Sequence, residues 1–132
     1  MTTPRVDPKT RFEHASPILR VTSMAASRRY YVETLGFRDA HWGTDLFTSV
    51  NRDGAGIYLC QGRQGGPGTW VWIGVEDVDA LFEEYRTKAA KIRLTPRNYP
   101  WAYEMHVEDP DGHVLRFGSE PRTDLPVDEA TF

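Results

Sequence analysis

The sequence predicts an α+β domain made of two βαβββ modules, and three observations carry that prediction. First, a short apolar strand runs into a capped amphipathic stretch twice: "SPILRV" into "TSMAASRRYYVETLGF", and "TWVWIGV" into "EDVDALFEEYRTKAA". Second, each of these pairs is followed by three short strand-like stretches with an Asp-Gly turn before the last, at Asp53-Gly54 and Asp111-Gly112. Third, the two halves match at a constant offset, Val21 with Val75, Ser23 with Asp77 and Tyr31 with Tyr85. Repetition of this kind sets the architecture, because one supersecondary unit cannot bury its apolar face alone.

Each element has a local reason. Met24, Ser27, Tyr31 and Leu35 recur at helical spacing, with Ser23 to cap the start and Gly36 to close the end. Strands are expected near 37–42, 46–51 and 55–61, the last two joined through "NRDGAG", a hairpin signal. In the second half Val78, Leu81, Phe82, Tyr85 and Ala89 share one helix face. Strands follow near 91–96, 101–108 and 113–119, with "DPDG" as the second hairpin turn. The division is therefore an N-terminal arm over 1–14, module one over 15–61, a linker over 62–68, module two over 69–121 and a C-terminal tail over 122–132. Both ends, rich in Pro, Thr and charge and without a period, read as loose arms.

Composition narrows the function. With 132 residues, 39% hydrophobic and 27% charged, the chain is one ordinary globular domain. A net charge of −3 with scattered basic residues argues against a nucleic-acid or anionic-membrane surface. The N-terminus has no apolar core of a signal peptide, and no apolar run spans a bilayer. The lone cysteine, Cys60, excludes an internal disulfide framework and fits a reducing cytoplasm, so a cytoplasmic protein is expected.

Strand alternation then sorts side chains into two faces. Val71, Ile73 and Val75 belong to the helix side, which leaves Trp70 and Trp72 on the opposite, concave side as a flat platform for a planar ligand. Leu115 and Phe117 belong to the core, so Arg116 points into the cleft. If residue 108 pairs with 114, His106 lies opposite Arg116 with Glu104 beside them. The trio reads either as a charged patch that orients a ligand or as a buried Glu104–Arg116 pair that satisfies itself.

The paired order, with "LRVTSMAASRRYYVETLGF", "IGVEDVDALFEEY" and "YPWAYEMHVEDPDGHVLRFG", resembles the vicinal oxygen chelate superfamily: glyoxalase I, extradiol dioxygenases, fosfomycin-resistance enzymes and bleomycin-resistance proteins. The likeness runs from Ala15 to Pro121. It implies the glyoxalase/bleomycin resistance fold, with curved mixed sheets, helices outside and a concave ligand cleft. Enzymes of this family hold a divalent metal on a His or Gln of each first strand and a Glu of each last strand. Here those positions are Ser16, Tyr58, Trp70 and Arg116. A guanidinium repels a metal, so no metal and no cofactor is expected. Members without metal resemble the bleomycin-resistance group, which sequesters a drug in clefts between two subunits; a homodimer is therefore implied as well.

On this reading Tyr58 adds a third ring to Trp70 and Trp72, while Trp42 and Trp101 either rim the cleft or fill the core. The leading function is a metal-free protein that binds a planar aromatic or heteroaromatic compound, such as an antibiotic. The alternative is a lyase or isomerase with His106 or Glu104 as base and Arg116 as electrophile. A plain interaction domain is the third. "QGRQGGPGTW" lacks a Gly-Lys-Ser/Thr ending and reads as linker or lid. Cys60 reads as a buried, inert thiol, and His41 and His113, beside turns, as solvated.

Overall fold

A computed structural model describes residues 9–129. The first part of the expected N-terminal arm and the last residues of the tail lie outside the described residues. Module one contains β1 (Ile18–Arg20), α1 (Met24–Arg29), β2 (Arg38–Asp39), β3 (Phe47–Arg52) and β4 (Ala55–Cys60). Module two contains β5 (Trp70–Gly74), α2 (Val78–Thr87), β6 (Lys91–Asn98), β7 (Tyr103–Glu108) and β8 (Val114–Ser119). The strands form two four-stranded sheets in the orders β1-β4-β3-β2 and β5-β8-β7-β6. In each, the first strand runs parallel to the last and the other pairings are antiparallel. The expected βαβββ repeat is therefore present, and each sheet is mixed.

Both helices start as the sequence predicts. Ser23 Oγ accepts from the Ala26 amide, and the Asp77 carboxylate accepts from the Ala80 amide. The first helix departs from expectation at its end. It stays α-helical only to Arg29 and widens into a π-helical turn over Tyr30–Thr34, closed by the Leu35 amide on the Tyr30 carbonyl. From that turn two adjacent tyrosines reach module two. Tyr30 Oη donates to the Glu108 carbonyl at 2.6 Å, and Tyr31 Oη donates to Asp109 Oδ2 at 2.9 Å. Tyr85, the repeat partner of Tyr31, reaches the other way and donates to the Leu35 carbonyl at 2.8 Å. Each module thus sends a buried tyrosine across to the other.

The apolar residues of both halves join one core. Leu19, Tyr31, Leu35, Val50, Ile57 and Leu59 of module one pack in the same cluster as Val78, Tyr85, Met105, Val107, Leu115 and Phe117 of module two. Removing this much apolar area from water is the main force that holds the modules together. Arg52 adds a bidentate pair with Glu84 across the seam, at 2.7 and 2.9 Å.

One local expectation is corrected, and two segments read as linker and tail are held to the body over their described residues. His113 is not solvated: it is fully buried, accepts from the Thr69 amide on Nδ1 and engages the Arg20 carbonyl through Nε2 at 2.7 Å. It thereby fastens the end of β1 to the start of β5. The linker does not hang free, since the Arg63 carbonyl accepts from Arg20. Gly65, at φ +84°, lies so close to β1 that a Cβ there would sit 2.7 Å from the Arg20 amide nitrogen. The C-terminal tail is tied down as well. Asn98 donates to the Arg122 and Leu125 carbonyls and accepts from the Arg122 amide, while Arg122 pairs with Asp79. His41 is exposed and Cys60 buried, as expected.

Candidate functional site

The face of the second sheet that turns away from its helix is built in three cross-strand rows. Register places Trp70, Val114, Glu108 and Lys91 in one row, Trp72, Arg116 and His106 in the next, and Gly74, Gly118, Glu104 and Arg97 in the third. Alternation along each strand leaves the intervening residues to the core.

Glu104 is the hub of this face. Its carboxylate is 0% exposed and is reached by five donors. On Oε1 it accepts from His106 Nε2 at 2.8 Å, Arg116 Nε at 2.8 Å and Arg116 Nη2 at 2.7 Å. On Oε2 it accepts from Trp72 Nε1 at 3.3 Å and Trp101 Nε1 at 3.1 Å. Burial is the largest single influence on this carboxyl and pushes it up. The bonds from His106, Arg116 and Trp72 outweigh it and hold Glu104 below the usual carboxylate range. Burial holds His106 below the ordinary imidazole value against the pull of Glu104. The ring is neutral near pH 7, with Nε2–H on Glu104 and Nδ1 as an acceptor.

The hub fixes two indoles. Trp72 lies flat over the glycines of the third row: a Cβ at Gly118 would stand 2.8 Å from Trp72 Cζ2, and one at Gly74 would stand 3.2 Å from Cζ3. Only the absence of side chains there lets the ring approach the strand. One ring face meets the sheet, and the indole remains 52% exposed. Trp101, at the mouth, stacks on buried Tyr99 with centroids 4.9 Å apart and planes within 3°. Trp70, also 52% exposed, meets the edge of His106, and the Arg93 guanidinium lies 5.2 Å from its ring centroid.

The structure thus brings together Trp70, Trp72, Trp101, Glu104, His106 and Arg116. It places Tyr58 and Trp42 elsewhere, in a separate stack on the first sheet: Trp42 on Phe47 at 6.3 Å, and Phe47 on Tyr58 at 5.3 Å. Sequence reasoning did not single out Lys91 and Arg93, although the alternating charges of "KIRLTPRN" were a visible signal. A shallow depression of about 670 Å³ is lined by Trp72, Trp101, Gly74 and Gly118. A deeper groove of about 830 Å³ lies at the module seam, where Val71, Ile73 and Leu81 face Ala55 and Ile57; of the residues above, only Trp72 and Gly74 border it. The seam groove carries no cluster of donors comparable to the Glu104 hub.

A divalent metal does not fit this donor set. Ser16, Tyr58, Trp70 and Arg116 offer no carboxylate or imidazole, Arg116 is a permanent cation, and Glu104 beside it has spent both oxygens. Among the described residues no three His, Cys, Asp or Glu side chains converge as a metal would require.

Residues 11–117 match the family described as Glyoxalase/Bleomycin resistance protein/Dioxygenase superfamily. The chain belongs to this superfamily. Among solved structures it is similar to the bleomycin-binding protein from bleomycin-producing Streptomyces verticillus, crystallised with copper(II)-bleomycin. The two share 28% identity over 83% of this chain and 98% of that one, with a TM-score of 0.71. It also shares the fold of TnmS3, an antibiotic binding protein from Streptomyces sp. CB03234, at 21% identity over 84% and 98% of the chains with a TM-score of 0.72. TioX from Micromonospora sp. ML1 has the same fold, at 21% identity over 86% and 100% of the chains with a TM-score of 0.68. A search of curated proteins finds no match. No helix among the described residues is long and apolar enough to cross a membrane.

Proposed function

We propose that this superfamily member binds a small planar aromatic compound against Trp70 and Trp72, without metal and without chemistry, in the manner of a bleomycin-resistance protein. The observation that carries the reading is the Trp72 indole, held flat on Gly118, fixed by its N–H on buried Glu104 and half open to solvent. A ring immobilised before the ligand arrives loses little entropy on binding, which is what a stacking site needs. The likeness to a bleomycin-binding protein supports the same class. The Glu104 carboxylate, already engaged by His106, Arg116, Trp72 and Trp101, is poorly placed to take a proton, which weighs against Glu104 as the base of the catalytic alternative.

The protein is proposed to act as a cytoplasmic homodimer. Half-exposed Trp42 and exposed Leu46 and Ile18 of module one form apolar surface that a second copy would cover. The test uses 2-naphthol, a neutral planar probe, followed through the indole N–H resonances of the protein. Saturable shifts of Trp72, abolished in Trp72→Ala and weakened about tenfold in Arg116→Ala, are expected, a change of about 1.4 kcal/mol. Equal affinity in wild type and Trp72→Ala would overturn the assignment of this face. A monomeric mass in sedimentation at micromolar concentration would overturn the dimer.

A further inference from the structure

The charges around Trp72 identify the class of compound that this face takes, an inference that rests on the stacking site proposed above. They are unevenly placed. Beside Trp70, two cations share one carboxylate: Glu108 accepts from Lys91 Nζ at 2.8 Å and from Arg93 Nη1 at 2.5 Å. Arg93 is also the guanidinium over Trp70. The other cations of the face also have carboxylate partners, Arg116 on Glu104 and Arg97 on Asp128. On this face, among the described residues, the Trp70 end therefore presents two cations to one carboxylate, Asp109 of the adjoining hairpin being buried on Tyr31 and the His113 amide, within a chain whose net charge is −3. At the opposite end, around Trp101 and Gly118, the depression is bordered by Glu76 and Glu120, with Arg122 already paired to Asp79 and Asp124. The surface of Trp72 thus lies between a basic end and an acidic one.

We propose that the ligand is an aromatic acid whose ring lies on Trp72 and whose anionic group, a carboxylate or an ionised phenol, points toward the Lys91–Arg93 pair. Electrostatics favour this orientation over its reverse. An anion at that end supplies the missing countercharge, whereas at the other end it would meet Glu76 and Glu120. Glu104 offers nothing to a cationic ligand, because its oxygens are buried and fully used.

The experiment compares two probes with the same ring, 2-naphthoate and 2-naphthol, titrated against the full chain and followed by the Trp70 and Trp72 indole resonances. At low salt the acid is expected to bind about tenfold tighter than the phenol, with the advantage shrinking as salt is raised. In Lys91→Gln/Arg93→Gln the ratio of acid to phenol affinity falls to about one. A conservative control, Arg93→Lys, keeps the charge and keeps most of the ratio. Equal binding of the two probes to the wild type, or a ratio unchanged in the double variant, would overturn the acid class while leaving the stacking site intact. Binding of neither probe would overturn the stacking site, and the acid class with it.

Discussion

The two sheets use the same register for opposite chemistry. In the first sheet Tyr58 is flanked by Ile18 and Ser49, and in the second the equivalent Arg116 is flanked by Trp72 and His106. One row further on, Cys60 pairs with Phe47 in the first sheet, and Gly118 pairs with Glu104 in the second. The carboxylate that organises the second face therefore stands where the first face has a phenylalanine ring. Around Glu104 two indoles are held by charge-assisted bonds, Trp72 flat on glycine and Trp101 stacked on Tyr99. Around Phe47 the rings of Trp42 and Tyr58 simply stack. A duplicated backbone has kept the ladder and let one face become a polar clamp for aromatics and the other an apolar stack. The clamp orients its rings through directional bonds, whereas stacking alone constrains them less.

The strongest way to break the contrast is to remove the charge at the hub. Glu104→Gln replaces the charged acceptor of half-buried Arg116, His106 and two indoles by a neutral amide and should lower stability by about 2–3 kcal/mol, read as a shift in urea midpoint. The indole resonances of Trp72 and Trp101 should move together in that variant. A midpoint equal to wild type would mean that the carboxylate is not the organiser. The counterpart on the first sheet, Phe47→Ala, deletes a half-buried ring and should cost less, about 1–2 kcal/mol. It should leave the Trp72 resonance in place, so a large shift there would show that the two faces are coupled.

Gly118→Ala sharpens the comparison without touching a charge. The Gly118 backbone is not in the left-handed region, so alanine is tolerated by the strand, but its Cβ would occupy the space of the Trp72 ring. Stability should change little, while affinity for 2-naphthol should fall about tenfold; undiminished affinity would show that the flat pose of Trp72 is not the binding pose. The smallest expected effect is in pH. His106 is held below its ordinary value of 6.5, so the unfolded chain binds its proton first as pH falls. Stability from this group is complete above about pH 6.5 and declines below it. Glu104, held below its ordinary value of 4.5, contributes stability that is lost only at still lower pH. Denaturation midpoints between pH 7 and pH 5 should fall in wild type and fall less steeply in His106→Gln, and parallel slopes would remove His106 from the account.

Much of this was legible in the chain. The strand–helix–hairpin order, the caps Ser23 and Asp77, and the turns at Asp53-Gly54 and Asp111-Gly112 follow from local chemistry, which acts over a few residues. Alternation placed Trp70, Trp72 and Arg116 on one face, and the assumed pairing of residue 108 with 114 added Glu104 and His106 to it, because side-chain direction in a strand has period two. His113 was misread as solvated because its neighbours are turn residues, and turns are usually wet. Its burial depends on β1, far away in sequence, passing over it.

The sequence by itself determined the repeat and the faces, since periodicity and side-chain chemistry are local properties. Tertiary structure alone decided that Glu104 collects five donors and that Trp72 lies on glycine. It also decided that Tyr58 and Trp42 belong to a different surface and that two lysine- and arginine-borne charges converge on Glu108. These depend on which strands become neighbours. Pairing across a sheet is settled by burial of the shared core, which no single stretch of the chain carries.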